Sequence, residues 1–248
     1  MDQLIVRYIK MRTNKDNIFK VMQNYSEFSL KKINQVPNDN FAINNDIRWY
    51  ANYCYDFTDE NIPQQYLNNL VARTTRWDLW NDLIKIYKKY EIKTNLDIGC
   101  ANNHFSFLLN KQNIFSIGID PRIDCLKSSY DVFRENFGEK FGYVGTISTF
   151  VDFFLQNQYC VHFDCVSILN FLHGKDHKHD EIKKLFEILP KITNKIIISE
   201  PNYGELNLPK LTKNFTKICS VKKKNTATHT LYDIKTIKIP FFKKFLKI

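Results

Sequence analysis

Residues 95–121, NLDIGCANNHFSFLLNKQNIFSIGIDP, contain the densest group of side chains suited to holding a small ligand. Asp97 stands two places before Gly99. Asp120 closes an apolar run about 20 residues further on, the separation at which a carboxylate on a second strand end accepts two hydrogen bonds from a ribose diol. Between them Gly99, Cys100, Ala101, Asn102 and Asn103 are small or tolerate left-handed backbone, so N–H groups at a helix start can come close to a ligand. The chemistry implied is capture of a nucleoside-bearing cofactor. A G-x-G-x-x-G fingerprint would need glycines at Ala101 and His104. Without them a pyrophosphate cannot lie against the backbone, which argues against NAD and FAD.

A second group comes later in the chain. His173 follows Asn170, Phe171 and Leu172, and an imidazole is the side chain whose ordinary pKa suits a general base near neutral pH. Glu200 and Asn202 end the apolar run NKIIISEPN, where they can orient acceptor hydroxyls. His173, Asp176, His177, His179 and Asp180 are of metal-ligand type, but their alternation with lysine reads as a solvated turn and helix cap, and no metal is expected.

Positioning these residues requires alternating strands and helices. Residues 94–98 read as a buried strand, 103–111 as a short helix and 114–119 as a second strand, together one βαβ unit. Upstream, TTRWDLWNDLIKIYKKY has apolar residues at a 3.6 period with Thr75 as its expected N-cap. Downstream, RIDCLKSSYDVFREN predicts a helix and FGYVGTIST a third strand, with residues 146–149 at its carboxyl end. FVDFFLQNQ then gives a helix, FDCVSILN a fourth strand, DEIKKLFEILPKI an amphipathic helix and NKIIISEPN a fifth strand. TKICSVKKK and LYDIKTIKI, separated by NTATH, predict a terminal hairpin. Right-handed crossovers turn this order into an open sheet whose ligands bind outside the strand carboxyl ends.

At this point the chain resembles the class I S-adenosylmethionine (SAM)-dependent methyltransferases. Asp97-Ile98-Gly99-Cys100-Ala101 matches the D-x-G-x-x core of their first motif, and Phe105-Ser106 the F-S that often follows. Phe163 to Asn170 resembles their fourth motif. The resemblance, from residue 76 to the end, implies an α/β, three-layer Rossmann-like fold with a mostly parallel seven-stranded sheet and a C-terminal antiparallel hairpin. It implies SAM as cofactor, held by Asp97, Gly99, Cys100, Ala101, Asn102, Phe105, Asp120, Pro121, Ile147, Ser148 and Asn170, with Ile147 and Ser148 flanking the adenine. His173 would be the base, helped by Glu200 and Asn202. SAM carries ribose and adenine but no phosphate, which suits the glycine-poor turn. Asn103 and His104 depart from the motif's later glycines, so a degenerate fold serving as a binding subunit is an alternative.

Residues 1–75 form an expected N-terminal helical extension. Its aromatic stretch IRWYANYCYDF is either a substrate lid or a clasp onto the core. The net charge of +10 raises nucleic acid as a partner. Lys, Asn, Ile and Phe are abundant together, however, as in an A+T-rich coding bias. The place of an N-P-P-Y-type motif is taken by Leu169-Asn170-Phe171-Leu172, and Ser199-Glu200-Pro201 supplies no lysine for an RNA ribose methyltransferase set. The expected acceptor is therefore an oxygen of a sugar, glycan or other small molecule, with an RNA or cap methyltransferase second. Six cysteines without C-x-x-C spacing read as free thiols in a reducing cytoplasm. No run reaches ~18 apolar residues, and the first residues lack a secretory pattern. The expected location is the cytoplasm, and the basic, aromatic tail IPFFKKFLKI is either an edge strand with a frayed end or a peripheral membrane contact.

Overall fold

Strand TNLDI is buried along its whole length, as a parallel strand covered by helices on both faces must be. The structure, a computed structural model, describes Asp16, Ile18 and residues 74–100, 103–121, 142–144, 147–157, 161–169, 179–200, 208–221 and 228–234. In chain order these give α1 (Thr74–Lys89), β1 (Thr94–Ile98), α2 (His104–Lys111), β2 (Phe115–Asp120), β3 (Gly142–Val144) and α3 (Ile147–Asn157). They continue with β4 (Phe163–Ile168), α4 (His179–Ile192), β5 (Thr193–Glu200), α5 (Leu208–Leu211), β6 (Phe215–Val221) and β7 (Thr228–Ile234).

The strands form one seven-stranded sheet in the order β3-β2-β1-β4-β5-β7-β6. All neighbours from β3 to β5 are parallel, and β7 runs antiparallel to both β5 and β6. The chain leaves β1 toward β2 and β3, then returns to place β4 on the other side of β1. That reversal is a switch point, and an open α/β sheet binds its ligands outside the strand carboxyl ends at such a point.

Two apolar layers cover the sheet. On one face Leu96, Ile117, Val166 and Ile196 pack under the aromatic ridge of α3 and the apolar stripe of α4. Phe154 is fully buried there, edge-on to Phe150, Phe153 and Phe163. Its truncation to Ala would cost roughly 3–5 kcal/mol. Ile18, helical and fully buried, joins this layer from the N-terminal region. On the other face α1 and α2 bring Leu83, Tyr87, Phe105 and Leu109 against Cys165, Ile197 and Leu231.

Three expectations are corrected. The third strand ends at Val144, and residues 147–149 open α3 instead of closing β3. The reason is periodicity: Ile147, Phe150, Val151 and Phe154 recur at helical spacing and all are buried, which outweighs the strand preference of Ile147 and Thr149. α1 begins at Thr74, so Thr75 lies inside it and is not its N-cap. In the hairpin, Thr228 and His229 belong to β7, not to the turn, because they pair with Glu200 and Ser199 of β5. The predicted helix over 122–136, the stretch 47–57, nearly all of 1–75 and the tail 239–248 lie outside the described residues. None of the described helices is long and apolar enough to cross a membrane.

Candidate functional site

The carboxyl ends of β1 and β2 carry two buried acids. Asp97 is 3% exposed and Asp120 1%. Because Asp97 pairs with Gly118, the two acids lie on one face of the sheet, one pleat apart. Gly99 follows β1 with φ 73°, a left-handed conformation that glycine adopts without strain. The main-chain N–H groups of Gly99 and Cys100 both donate to the Ile119 carbonyl, at 2.8 and 3.1 Å, which binds the turn to the residue before Asp120. Asn103 closes the turn: its N–H donates to the Cys100 carbonyl at 2.7 Å, and it caps α2 in left-handed backbone with φ 63°.

The turn sits directly on Gly118. A Cβ at that position would meet the Asn103 amide oxygen at far less than contact distance, and Asn103 Cγ and Cys100 Sγ at 2.6 Å each. The bare backbone of Gly118 is therefore what lets the turn descend between the two acids. The sequence reading did not single this glycine out, and its signal is position: it lies in mid-strand between two buried isoleucines, where a glycine marks close approach of another backbone.

Behind Asp97 the polar residues are linked. Tyr87 on α1 donates its hydroxyl to Asn95 Oδ1 at 2.8 Å. Asn95 Nδ2 donates to Ser116 Oγ at 2.9 Å and to Ser167 Oγ at 3.1 Å. Ser116 donates to Ser106 on α2 at 2.9 Å, and Ser167 donates to Asp97 Oδ1 at 2.7 Å. Tyr87, Asn95, Ser106, Ser116 and Ser167 are all fully buried. Burial pushes the Asp97 carboxyl up to about 7, the Ser167 hydrogen bond opposes that, and the charge of Asp120 adds to it. Burial also raises the Tyr87 phenol well above its ordinary value and the neighbouring Cys165 thiol to about 12, so both are neutral donors and neither is a nucleophile.

Of the other expected site residues, Pro121 is exposed directly after Asp120. Phe105 turns into the core, edge-on to Tyr87 with ring centroids 5.7 Å apart. Ile147 is buried in the first turn of α3 and Ser148 is exposed there, its hydroxyl donating to Glu181 Oε1 on α4 at 2.7 Å. Glu200 ends β5 opposite Thr228. Ala101, Asn102, Asn170, His173 and Asn202 lie outside the described residues. Asp164, the acid of the segment like the fourth methyltransferase motif, faces the opposite end of the sheet. Its carboxylate accepts from the N–H groups of Lys93 and Thr94 at 2.8 and 2.9 Å, while its own N–H donates to Thr94 Oγ1 at 2.9 Å.

Solved structures share this architecture. Magnesium protoporphyrin IX methyltransferase (ChlM) from Synechocystis PCC 6803, solved with bound SAM, superposes with a TM-score of 0.54 at 14% identity, covering 85% of this chain and 99% of that one. The chain has the class I methyltransferase fold. The PH0226 protein from Pyrococcus horikoshii OT3 matches that fold here with a TM-score of 0.50 at 18% identity, over 77% of this chain and 99% of that one. Monomeric WbdD gives a TM-score of 0.49 at 20% identity over 64% of this chain, which spans only 40% of the WbdD length. No protein-family profile and no curated protein sequence matches the chain.

On this methyltransferase fold the donor set agrees with SAM and disagrees with a dinucleotide. Two buried carboxylates on one sheet face would repel a diphosphate, whereas they attract a ligand that carries an ammonium and a sulfonium. Asp120 closes β2 at the place of a ribose diol partner.

Proposed function

We propose that this chain is a SAM-dependent methyltransferase. The observation that carries the proposal is the pair Asp97 and Asp120, buried on either side of the Gly99 turn at the point where the strand order reverses. When bound, SAM supplies an electrophilic methyl carbon on a positive sulfur. Asp120 accepts the ribose hydroxyls, Asp97 offers a negative charge to the cationic end, and the Gly99 turn brings the start of α2 close beneath. The residues Cys100, Ala101, Asn102, Phe105, Pro121, Ile147, Ser148 and Asn170 complete the proposed cofactor surround. What the protein contributes to methyl transfer is placement of donor and acceptor in line, with removal of the acceptor proton.

The acceptor is proposed to be a hydroxyl of a sugar, glycan or other small molecule. His173 follows β4 in the chain and is the proposed base; Glu200 and Asn202 are proposed to orient the acceptor. Asp164 gives the RNA reading no support, since a strand-start acid bonded to Lys93 and Thr94 cannot also act at the carboxyl edge. Isothermal titration with SAM and with NADH tests the cofactor: heat with SAM alone is expected, and heat with NADH alone overturns the proposal. Methyl transfer from labelled SAM to sugars, glycan fragments and RNA in parallel tests the acceptor class.

A further inference from the structure

The hydrogen bonds behind Asp97 run in one direction. The Tyr87 hydroxyl donates to Asn95, the Asn95 amide donates to Ser167, and the Ser167 hydroxyl donates to Asp97, with every link at 3.1 Å or less. The line crosses three elements: α1, then β1, then β4, and returns to β1. A carboxylate only accepts hydrogen bonds, whereas a protonated carboxyl must also place a donor of its own. An unbroken row of donors ending on Oδ1 is thus complementary to the anion, and it stands where apolar side chains would otherwise complete the layer. Buried hydroxyls and amides cost stability unless they are satisfied in this way.

We propose that Ser167, Asn95 and Tyr87 are positioning residues that act through Asp97, fixing its carboxylate as the anion that meets the cationic end of the cofactor. The proposal rests on the SAM reading and adds three residues that lie outside the turn. The ionisable groups that act on Asp97 are Asp120 from β2 and Tyr87 from α1, and Cys165 from β4 stands beside Tyr87. The described side chains of α2 bring none. Asp120 opposes the anion, and Tyr87 and Cys165 stay neutral, so the Ser167 hydroxyl is the described side chain that favours ionisation. Binding a cation beside Asp97 then releases a proton below neutral pH, and affinity for SAM rises with pH until the ligand's own amine, an α-amino group that titrates near about 7.7–8.0, loses its charge.

The test is carbon NMR of the Asp97 carboxyl across pH in the full chain without cofactor, paired with SAM affinity by calorimetry across the same range. Ser167→Ala is expected to move the carboxyl midpoint up by about one pH unit. The acid limb of the affinity profile should move with it while the alkaline limb stays. Ser167→Thr, which keeps the hydroxyl, is expected to restore both, and Tyr87→Phe to give a smaller upward shift. A folded Ser167→Ala protein with an unmoved carboxyl midpoint overturns the relay, as does a Ser167→Thr protein that behaves like the alanine variant. Absence of heat with SAM at every pH, whatever the carboxyl does, overturns instead the cofactor reading on which the proposal rests.

Discussion

Ser167 and Asp97 face each other across the β1–β4 pair, joined by a hydrogen bond of 2.7 Å at the pleat where the sheet's strand order reverses. The hydroxyl supports an acid whose burial works against ionisation, so the site holds a charge that the fold itself disfavours. Binding sites commonly carry such a conflict between stability and function.

The first prediction concerns that conflict. The Asp97 carboxyl is raised from 3.8 to about 7 in the folded chain. Between those values the folded protein keeps a proton that the unfolded chain has released, so ∂ΔG/∂pH for unfolding is negative. The stabilising contribution is complete below the ordinary Asp range and is lost as pH rises through about 7. Asp97→Asn removes the titration while nearly preserving shape. The variant should be more stable than the parent at pH 8, by on the order of 1–3 kcal/mol, and the gap should close toward pH 5. Its SAM affinity should fall at least tenfold. Thermal unfolding at the two pH values checks the first part, and a parent whose melting temperature does not decline from pH 6 to pH 8 contradicts it.

Gly118 gives a second prediction. A methyl group there meets Asn103 and Cys100 head-on, and Asn103 is already fixed in left-handed backbone at a buried helix cap. Neither side chain can swing into open space, so Gly118→Ala should lift the turn away from β2. Overpacking of this kind costs roughly 1–3 kcal/mol. SAM affinity should drop more than stability does, because the displaced segment is the binding turn. Calorimetry on the folded variant decides it: unchanged affinity would show that the turn does not need this close approach.

Much of this was legible from residue types. Strands β1, β2, β4 and β5 are read directly, since parallel strands buried on both faces become short, nearly continuous apolar runs. Gly99 and the pair Asp97 and Asp120 follow from turn chemistry and spacing. The polar line behind Asp97 was less legible, although its trace is present: Asn95 and Asp97, Ser116 and Gly118, and Ser167 recur at every second position of otherwise apolar strands. A period-2 scan for polar residues shows that they share a face, but only strand order shows that they meet, because β4 lies about 70 residues from β1 in the chain and next to it in the sheet. The third strand was overextended because Ile147 and Thr149 favour strands locally, while the phenylalanines that make them helical come later.

Asp164 supplies a third prediction, of opposite character. Its carboxylate satisfies the N–H groups of Lys93 and Thr94, and its own main-chain N–H donates to Thr94 Oγ1. This reciprocal clasp fixes the register of β1 against β4 at the edge remote from the candidate site. Asp164→Ala should therefore destabilise the chain by about 1–3 kcal/mol, the cost of leaving partly buried N–H donors unmet. SAM affinity in the folded fraction should be unchanged. A large loss of affinity without loss of stability would mean that this acid acts at the ligand after all.

Asp120 supplies the last. Paired with a ribose diol, its carboxylate accepts charge-assisted hydrogen bonds, and Asp120→Ala should cost on the order of 1–3 kcal/mol of SAM affinity. A cofactor analogue lacking the 2′-hydroxyl should lose a similar amount against the parent protein and little more against the variant, which is the signature of a direct contact in a double-mutant cycle. The same substitution has a second readout. The charge of Asp120 is one of the causes that raise the Asp97 carboxyl, so its removal should move that carboxyl downward. At pH 6.5 more of Asp97 is then ionised, and part of the lost affinity returns relative to pH 8. A variant whose affinity deficit is the same at both pH values would show that the two acids, though buried on one face of adjacent strands, do not share a ligand.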